Sequence, residues 1–213
     1  MRKFLLAATM LTGLAATANA TQIIAFGQTS DTNTLTATAN AGGTATTLST
    51  DTAISITQLF GNAPTTGFLD LNATSIDAVQ SIGPALLQHY SGTFKITSLA
   101  GGAGTNFLSG TFSDAAFGLA TGEQLSINVA NPPDTLSLTS GVIALADLAA
   151  PNTFTLSLSN LAPALSLDNA TLASFTASYS GVASATTQAV PEPVSLAILG
   201  MGLLGLGVIR KKT

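Results

Sequence analysis

Short runs in which every second residue is apolar recur through the middle of the chain, separated by glycine, asparagine, proline and serine. In GTFKITS, Phe94 and Ile96 alternate while Lys95 faces the other way. Leu125, Ile127 and Val129 alternate in EQLSINV, and Leu136 and Leu138 in DTLSLTS. Phe154, Leu156 and Leu158 do so in TFTLSLS, and Phe175, Ala177 and Tyr179 in SFTASYS. Period two with Thr and Ser on the opposite face predicts half-buried antiparallel strands. Thr21–Phe26 (TQIIAF) reads as the first strand. The turn Asn131-Pro132-Pro133-Asp134 predicts that the strands on either side of it are adjacent, because proline sets φ and cannot join a ladder. Many short strands with frequent turn signals predict an all-β domain, an antiparallel β-sandwich or barrel-like fold.

Three stretches depart from that pattern. Residues 29–53 are dominated by Thr, Ala, Ser, Gly and Asn, with large apolar side chains only at Leu35 and Leu48. So little apolar surface offsets ordering entropy poorly, which predicts a weakly packed edge ribbon or a long mobile loop. Ile76, Val79 and Ile82 fall on one face at i, i+3 spacing, and Pro84 can open a turn carrying Leu86, Leu87 and Tyr90. One or two short helices are predicted there. Val182–Ala189 is a small-residue stretch and reads as a spacer. No repeat at solenoid or propeller period is visible.

The two ends have a different character from the middle. Arg2 and Lys3 precede an apolar stretch from Phe4 to Ala16, and Ala18-Asn19-Ala20 supplies the small side chains a signal peptidase accommodates. Met1–Ala20 therefore reads as a secretory signal peptide with Thr21 as the mature start. The stretch is too short to span a bilayer comfortably. At the other end, Val190-Pro191-Glu192-Pro193 precedes an apolar run from Val194 to Ile209 and the basic tail Arg210-Lys211-Lys212-Thr213. Sixteen helical residues at about 1.5 Å each give about 24 Å, enough to span with local thinning. A transmembrane helix over 194–209 is expected, with Arg210, Lys211 and Lys212 as a cytoplasmic stop.

The order Pro-Glu-Pro, short apolar helix, basic terminus resembles the PEP-CTERM sorting signal of Gram-negative bacteria. The resemblance covers residues 190–213 and leaves the middle of the chain unassigned. It implies recognition and cleavage by an exosortase, a membrane-embedded cysteine protease-transpeptidase. Pro191, Glu192 and Pro193 match the recognition triplet, and Arg210, Lys211 and Lys212 match the basic tail. A GPI signal lacks the basic stop, and a permanent anchor does not need the Pro-Glu-Pro punctuation. Gly200-Met201-Gly202-Leu203-Leu204-Gly205 satisfies G-x-G-x-x-G literally, but no strand precedes it and no acid follows it, so the dinucleotide reading fails. Those glycines suit close helix packing in a membrane.

Setting the ends aside changes the charge balance. Between Thr21 and Ala189 Lys95 is the one basic residue, against nine acids: Asp31, Asp51, Asp70, Asp77, Asp114, Glu123, Asp134, Asp147 and Asp168. A domain with one Lys and no Arg cannot neutralise a run of phosphates, which excludes nucleic acid as a partner. Cysteine is absent, so disulfides, thiolate catalysis and Cys-ligated metals are excluded. About 170 residues remain for one domain with a hydrophobic centre.

The inventory for chemistry is thin. His89 is the chain's one histidine. No G-x-S-x-G elbow surrounds a serine, and nothing in the sequence marks His89 as a base, so it reads as a structural or surface residue. One His and no Cys leave zinc with carboxylates alone. The acids are single and dispersed beside turn-type residues, unlike a glycosidase pair. Asp31-Thr32-Asn33 and Asp168-Asn169 offer oxygen ligands for calcium without EF-hand or RTX spacing. A sugar site would lack the usual aromatic platform, since there is no Trp and only Tyr90 and Tyr179. Asn72-Ala73-Thr74 and Asn169-Ala170-Thr171 are sequons that matter only in a glycosylating host.

These readings divide the chain into a signal peptide (1–20), a β-rich extracytoplasmic domain (21–181), a spacer (182–189) and a sorting signal (190–213). No catalytic residue, metal or cofactor is assigned. Expected partners are signal peptidase at Ala18 and Ala20, an exosortase-like protease at Pro191–Pro193, and the inner membrane transiently. The domain itself reads as a non-catalytic cell-surface or extracellular-matrix protein, with exopolysaccharide as a candidate partner. The alternatives are a carbohydrate- or matrix-binding module and, third, a secreted hydrolase.

Overall fold

The computed structural model describes residues 20–187 except 84, 119–124 and 130–134. Thirteen strands occupy that span: β1 (Ala20–Gln28), β2 (Leu35–Ala39), β3 (Thr46–Leu59), β4 (Thr65–Ser75), β5 (Gln80–Ile82), β6 (Ala85–Leu99), β7 (Ala103–Gly118), β8 (Leu125–Val129), β9 (Thr135–Thr139), β10 (Ala149–Ala162), β11 (Leu167–Asp168), β12 (Thr171–Leu172) and β13 (Phe175–Thr186). Antiparallel pairing runs β6–β4–β3–β1–β13–β10–β8–β7, and β7 then pairs with β6. Eight strands therefore close on themselves, and of the two expected β architectures the pairing matches the barrel-like one.

Two places in the ring are each filled by two short strands lying end to end. β1 pairs with the later part of β13 and of β3, while β2 pairs with the opposite ends of both. Likewise β8 meets β7 at Ala116–Gly118, and β9 meets it at Ser109–Ser113. β6 occupies the other edge of β7 throughout. The strands flanking the Pro132-Pro133 turn are thus not hydrogen-bonded to each other, contrary to the sequence expectation. They continue along one edge of β7, and the prolines themselves lie outside the described residues.

Alternation explains the ring. Leu69, Leu71 and Ala73 of β4, Phe94 and Ile96 of β6, and Phe154, Leu156 and Leu158 of β10 all point inward and are buried. Their intervening neighbours are Thr, Ser, Asn, Asp or Lys. An apolar interior under a polar wall is the reverse of the order in a barrel that sits in lipid. Among the described residues no helix is long and apolar enough to cross a membrane. The expected helix over 194–209 lies outside the described residues.

Residues 29–53 correct the expectation of a loosely packed ribbon. Leu35–Ala39 and the first part of Thr46–Leu59 are ladder strands, and both Leu35 and Leu48 are fully buried. Their inward partners are small (Ala37) or hydrogen-bonded (Thr46), so the segment borrows burial from the rest of the ring. Among the described residues the helices expected between Ile76 and Tyr90 are absent as well: Gln80–Ile82 and Ala85–Leu99 are strands, and Pro84 lies outside the described residues. In β6 the inward positions include Gln88 and Tyr90, both fully buried. A polar residue facing the core conceals a period-two pattern, and the i, i+3 spacing of Ile76, Val79 and Ile82 is incidental. The one helix among the described residues is a single 3-10 turn, Leu145–Leu148. Val182–Thr186, taken as the start of a spacer, belongs to β13, where Ala183 and Ala185 are buried.

Candidate functional surface

The outward side chains of the wall stand in register. Thr176, Thr36, Ser49, Asn72, Thr93, Thr111 and Ser137 are successive Cα partners across β13, β2, β3, β4, β6, β7 and β9. At about 4.8 Å per strand this row of short polar groups spans roughly 29 Å. A second row, Asp51–Asp70–Lys95–Ser109–Thr139, runs beside it. Neighbouring hydroxyls satisfy one another: Ser109 with Thr139 at 2.8 Å, Ser113 with Thr135 at 2.6 Å. Thr93, Lys95, Ser137, Thr139 and Thr176 are outward members of the alternating runs, whereas Thr36, Ser49 and Asp51 fall in the stretch that reads as a ribbon or loop. Their alignment into rows depends on strand register, which the sequence does not state.

Between the rows a hollow of about 160 Å³ is rimmed by Thr93, Lys95, Ser109, Thr111, Ser137 and Thr139. Phe94 and Gly110 complete its lining, so threonine and serine hydroxyls and the Lys95 ammonium surround a largely apolar hollow. The Asp51 carboxylate accepts the Gly101 N–H at 3.1 and 3.0 Å. No aromatic side chain stands in either row. Tyr90 and Tyr179, the two tyrosines, are buried in the interior. Burial pushes both phenols above their ordinary range.

His89 is held by Asp77, whose one carboxylate oxygen lies 2.5 Å from Nδ1 while the other accepts the His89 N–H at 2.9 Å. Sequence reasoning did not pair these residues. The contact joins the 76–79 segment to β6, together with the Ile76 N–H donated to the His89 carbonyl. Just inside the wall at this place is a buried polar cluster. The Thr46 hydroxyl meets that of Thr171 at 2.6 Å, Gln88 Nε2 donates to Thr171 Oγ1 at 2.9 Å, and the Tyr90 hydroxyl donates to Gln88 Oε1 at 3.0 Å. Every member is fully buried and bonded, as a polar group in a core must be.

Of the oxygen groups considered for calcium, Asn33 and Asp168 make hydrogen bonds within the protein. Asn33 Oδ1 accepts the Ser178 hydroxyl, and its amide nitrogen donates to the Asn160 carbonyl. Asp168 accepts from the side chain of Asn169. Among the described residues no three of His, Cys, Asp and Glu gather into a possible metal centre. Of the two sequon asparagines, both are exposed, Asn72 in the first polar row and Asn169 in the β11–β12 turn.

The processing residues Pro191, Glu192, Pro193, Arg210, Lys211 and Lys212, and Ala18 of the signal peptide, lie outside the described residues. Ala20 is exposed and faces Thr186 across β1 and β13. The chain thus enters and leaves the ring at one point. Residues 189–212 match the PEP-CTERM protein-sorting motif. No curated protein and no solved structure matches the chain. The motif is the signature of an exosortase substrate, and it implies export and processing at a membrane.

Proposed function

We propose that this exosortase substrate is a non-catalytic protein of the cell surface or extracellular matrix, associated with the exopolysaccharide of a biofilm. The observation that carries the reading is the junction of a sorting motif to a ring whose interior is packed and whose wall is polar. Ala20 and Thr186 lie side by side, so both addressing segments join the ring at the same end. Signal peptidase removes Met1–Ala20, and Val194–Ile209 holds the precursor in the inner membrane until the protease acts near Pro191–Pro193. The Asp77 carboxylate, bound to both the backbone and the ring of His89, supports a structural role for the chain's one histidine. Mass spectrometry of the protein purified from its exosortase-bearing host tests this. The expected termini are Thr21 and a residue upstream of Val194; a mature chain retaining Val194–Thr213 would overturn the processing.

The second reading is a carbohydrate- or matrix-binding module, and the polar rows with the hollow at Lys95 favour it. Hydroxyls and an ammonium suit a polyhydroxy ligand, although the tyrosines are buried and Phe94, which also lines the hollow, is itself fully buried. Selective signals on a glycan array, lost with Thr111→Val, would establish it; a blank array favours the structural role. Turnover of ester or glycoside substrates abolished by His89→Ala would overturn the non-catalytic reading.

A further inference from the structure

Residues 76–82 form a strap tied down chiefly at Asp77. The Asp77 carbonyl accepts Gln88 Nε2 at 2.9 Å, while its carboxylate accepts the His89 N–H at 2.9 Å and lies 2.5 Å from His89 Nδ1. Successive residues of β6 therefore hold it, Gln88 from the buried side and His89 from the outer one. Two backbone bonds flank this point, from the Ile76 N–H to the His89 carbonyl and from the Val79 N–H to the Ala170 carbonyl. Val79 packs against the core, but Ile76, Ile82 and the rest of β5 are exposed. Segments with so few buried contacts open most readily.

We propose that the Asp77–His89 contact is a pH-sensitive latch, holding the strap on β6 while the imidazole is protonated and letting it open more often once the ring is neutral. Between pH 5 and 8 imidazole is the side chain that ordinarily changes charge, and cysteine is absent. A protonated ring gives Asp77 an ion pair and a charge-assisted hydrogen bond, whereas a neutral ring keeps only the hydrogen bond. The closing contribution is thus present below the imidazole titration and lost as pH rises through it. Neighbouring charges leave that sign unchanged. Asp114 lies on β7 two residues from Ala116, the Cα partner of His89, and Asp168 stands two residues before Ala170, which takes the Val79 N–H. Both are carboxylates, so their field adds to that of Asp77. Residues 71–75 of β4, β5 and β8 carry no charge, and Glu123 lies outside the described residues. The cross-strand partners Asp70 and Lys95 sit six residues along β6 from His89, about 20 Å away. Tyr90 points inward, and burial pushes its phenol up, out of this range. His89 and Asp77 are 24% and 31% exposed, so added salt screens the pair.

Hydrogen exchange tests the latch. The full-length chain is purified in detergent without a histidine tag, and the 76–82 amides are followed by mass spectrometry from pH 5 to 8 at low salt. Rates are corrected for the intrinsic pH dependence of exchange, with the 154–158 amides of β10 as reference. Strap protection should fall roughly threefold or more relative to that reference, the size of a partly screened ion pair. The fall should track the titration of the chain's single imidazole resonance and shrink in added sodium chloride. His89→Gln keeps a hydrogen-bonding side chain without the charge, and its strap should exchange at the parent's pH 8 rate throughout. Asp77→Asn, which retains an oxygen for the His89 N–H, should be flat as well. Equal protection of the parent strap at pH 5 and pH 8 overturns the latch, as does a fall of the parent's size in either variant.

Discussion

Phe94 of β6 and Phe154 of β10 stack with ring centroids 4.0 Å apart and planes 10° from parallel, although β7 and β8 separate their strands in the ring. Phe26 of β1 continues the stack at 6.4 Å from Phe154. Rings from three walls thus meet in the middle, and two of them lie over glycine. A Cβ on Gly110 would come within 2.6 Å of Phe94 Cε1, and Gly181 sits as tightly beneath the Phe26 ring. The walls approach closely enough to exclude solvent because these cross-strand partners have no side chain.

Phe154→Ala should destabilise the ring by about 3–5 kcal/mol, the range for truncating a fully buried aromatic. Gly110→Ala should cost about 1–3 kcal/mol through overpacking against Phe94. Urea unfolding of the 20–187 segment measures both. A loss under about 1 kcal/mol for Phe154→Ala would mean that the stack is not the centre of the core.

The buried polar cluster sets a second expectation. Thr171→Val keeps the shape but removes the hydroxyl that accepts from Gln88 and meets Thr46. A loss of about 0.5–1.5 kcal/mol is expected, because Gln88 and Thr46 each lose one hydrogen bond while keeping another, to the carbonyls of Asp77 and Leu172. The same change at exposed Thr93 should stay within about 0.5 kcal/mol of the parent. Equal effects at the two sites would show that the cluster is wet.

Alkaline pH should unfold the protein. Tyr90 and Tyr179 ionise above their ordinary range in the folded ring because burial disfavours the phenolate. In the unfolded chain they ionise near pH 10. Above that pH the unfolded state binds fewer protons than the folded one, so the stability of unfolding falls as pH rises. Their contribution is fully present below about pH 10 and is lost on going up through the folded values. Urea midpoints from pH 8 to 12 should fall beyond pH 10, and less steeply in Tyr90→Phe.

Salt should stabilise the domain. Asp51 and Asp70 are direct cross-strand partners, and like charges in that position repel. Added sodium chloride screens this and the wider excess of acids. The melting temperature should rise with moderate salt, and Asp51→Asn should raise it in low salt while weakening the salt response. A flat or falling curve would mean that the acids hold cations.

How much of this could be read from the sequence depended on which residue faced inward. Where Phe154, Leu156 and Leu158 alternate with Thr and Ser, strand, face and burial all follow. Where Gln88 takes the inward place in β6, the period disappears and a helix looks better, since only tertiary hydrogen bonds make a buried glutamine tolerable. Residues 29–53 failed for another reason: two leucines look too few until the opposite wall supplies the remaining contacts. The Asp77–His89 pair and the polar rows join residues through pairing, and register is a property of the closed ring. The sorting cassette was legible because its signal is local, a short motif beside an apolar run and a basic tail.

The most direct test of the central claim is the fate of a precursor in which Pro191, Glu192 and Pro193 are all changed to alanine. Hydrophobicity and the basic stop are unchanged, so secretion and insertion should proceed. Pulse-chase labelling in an exosortase-bearing host should show the parent chain shortening with time. The triple variant should accumulate at full length, less its signal peptide, in the inner membrane. Shortening of the variant at the parent's rate would contradict the reading of this chain as an exosortase substrate.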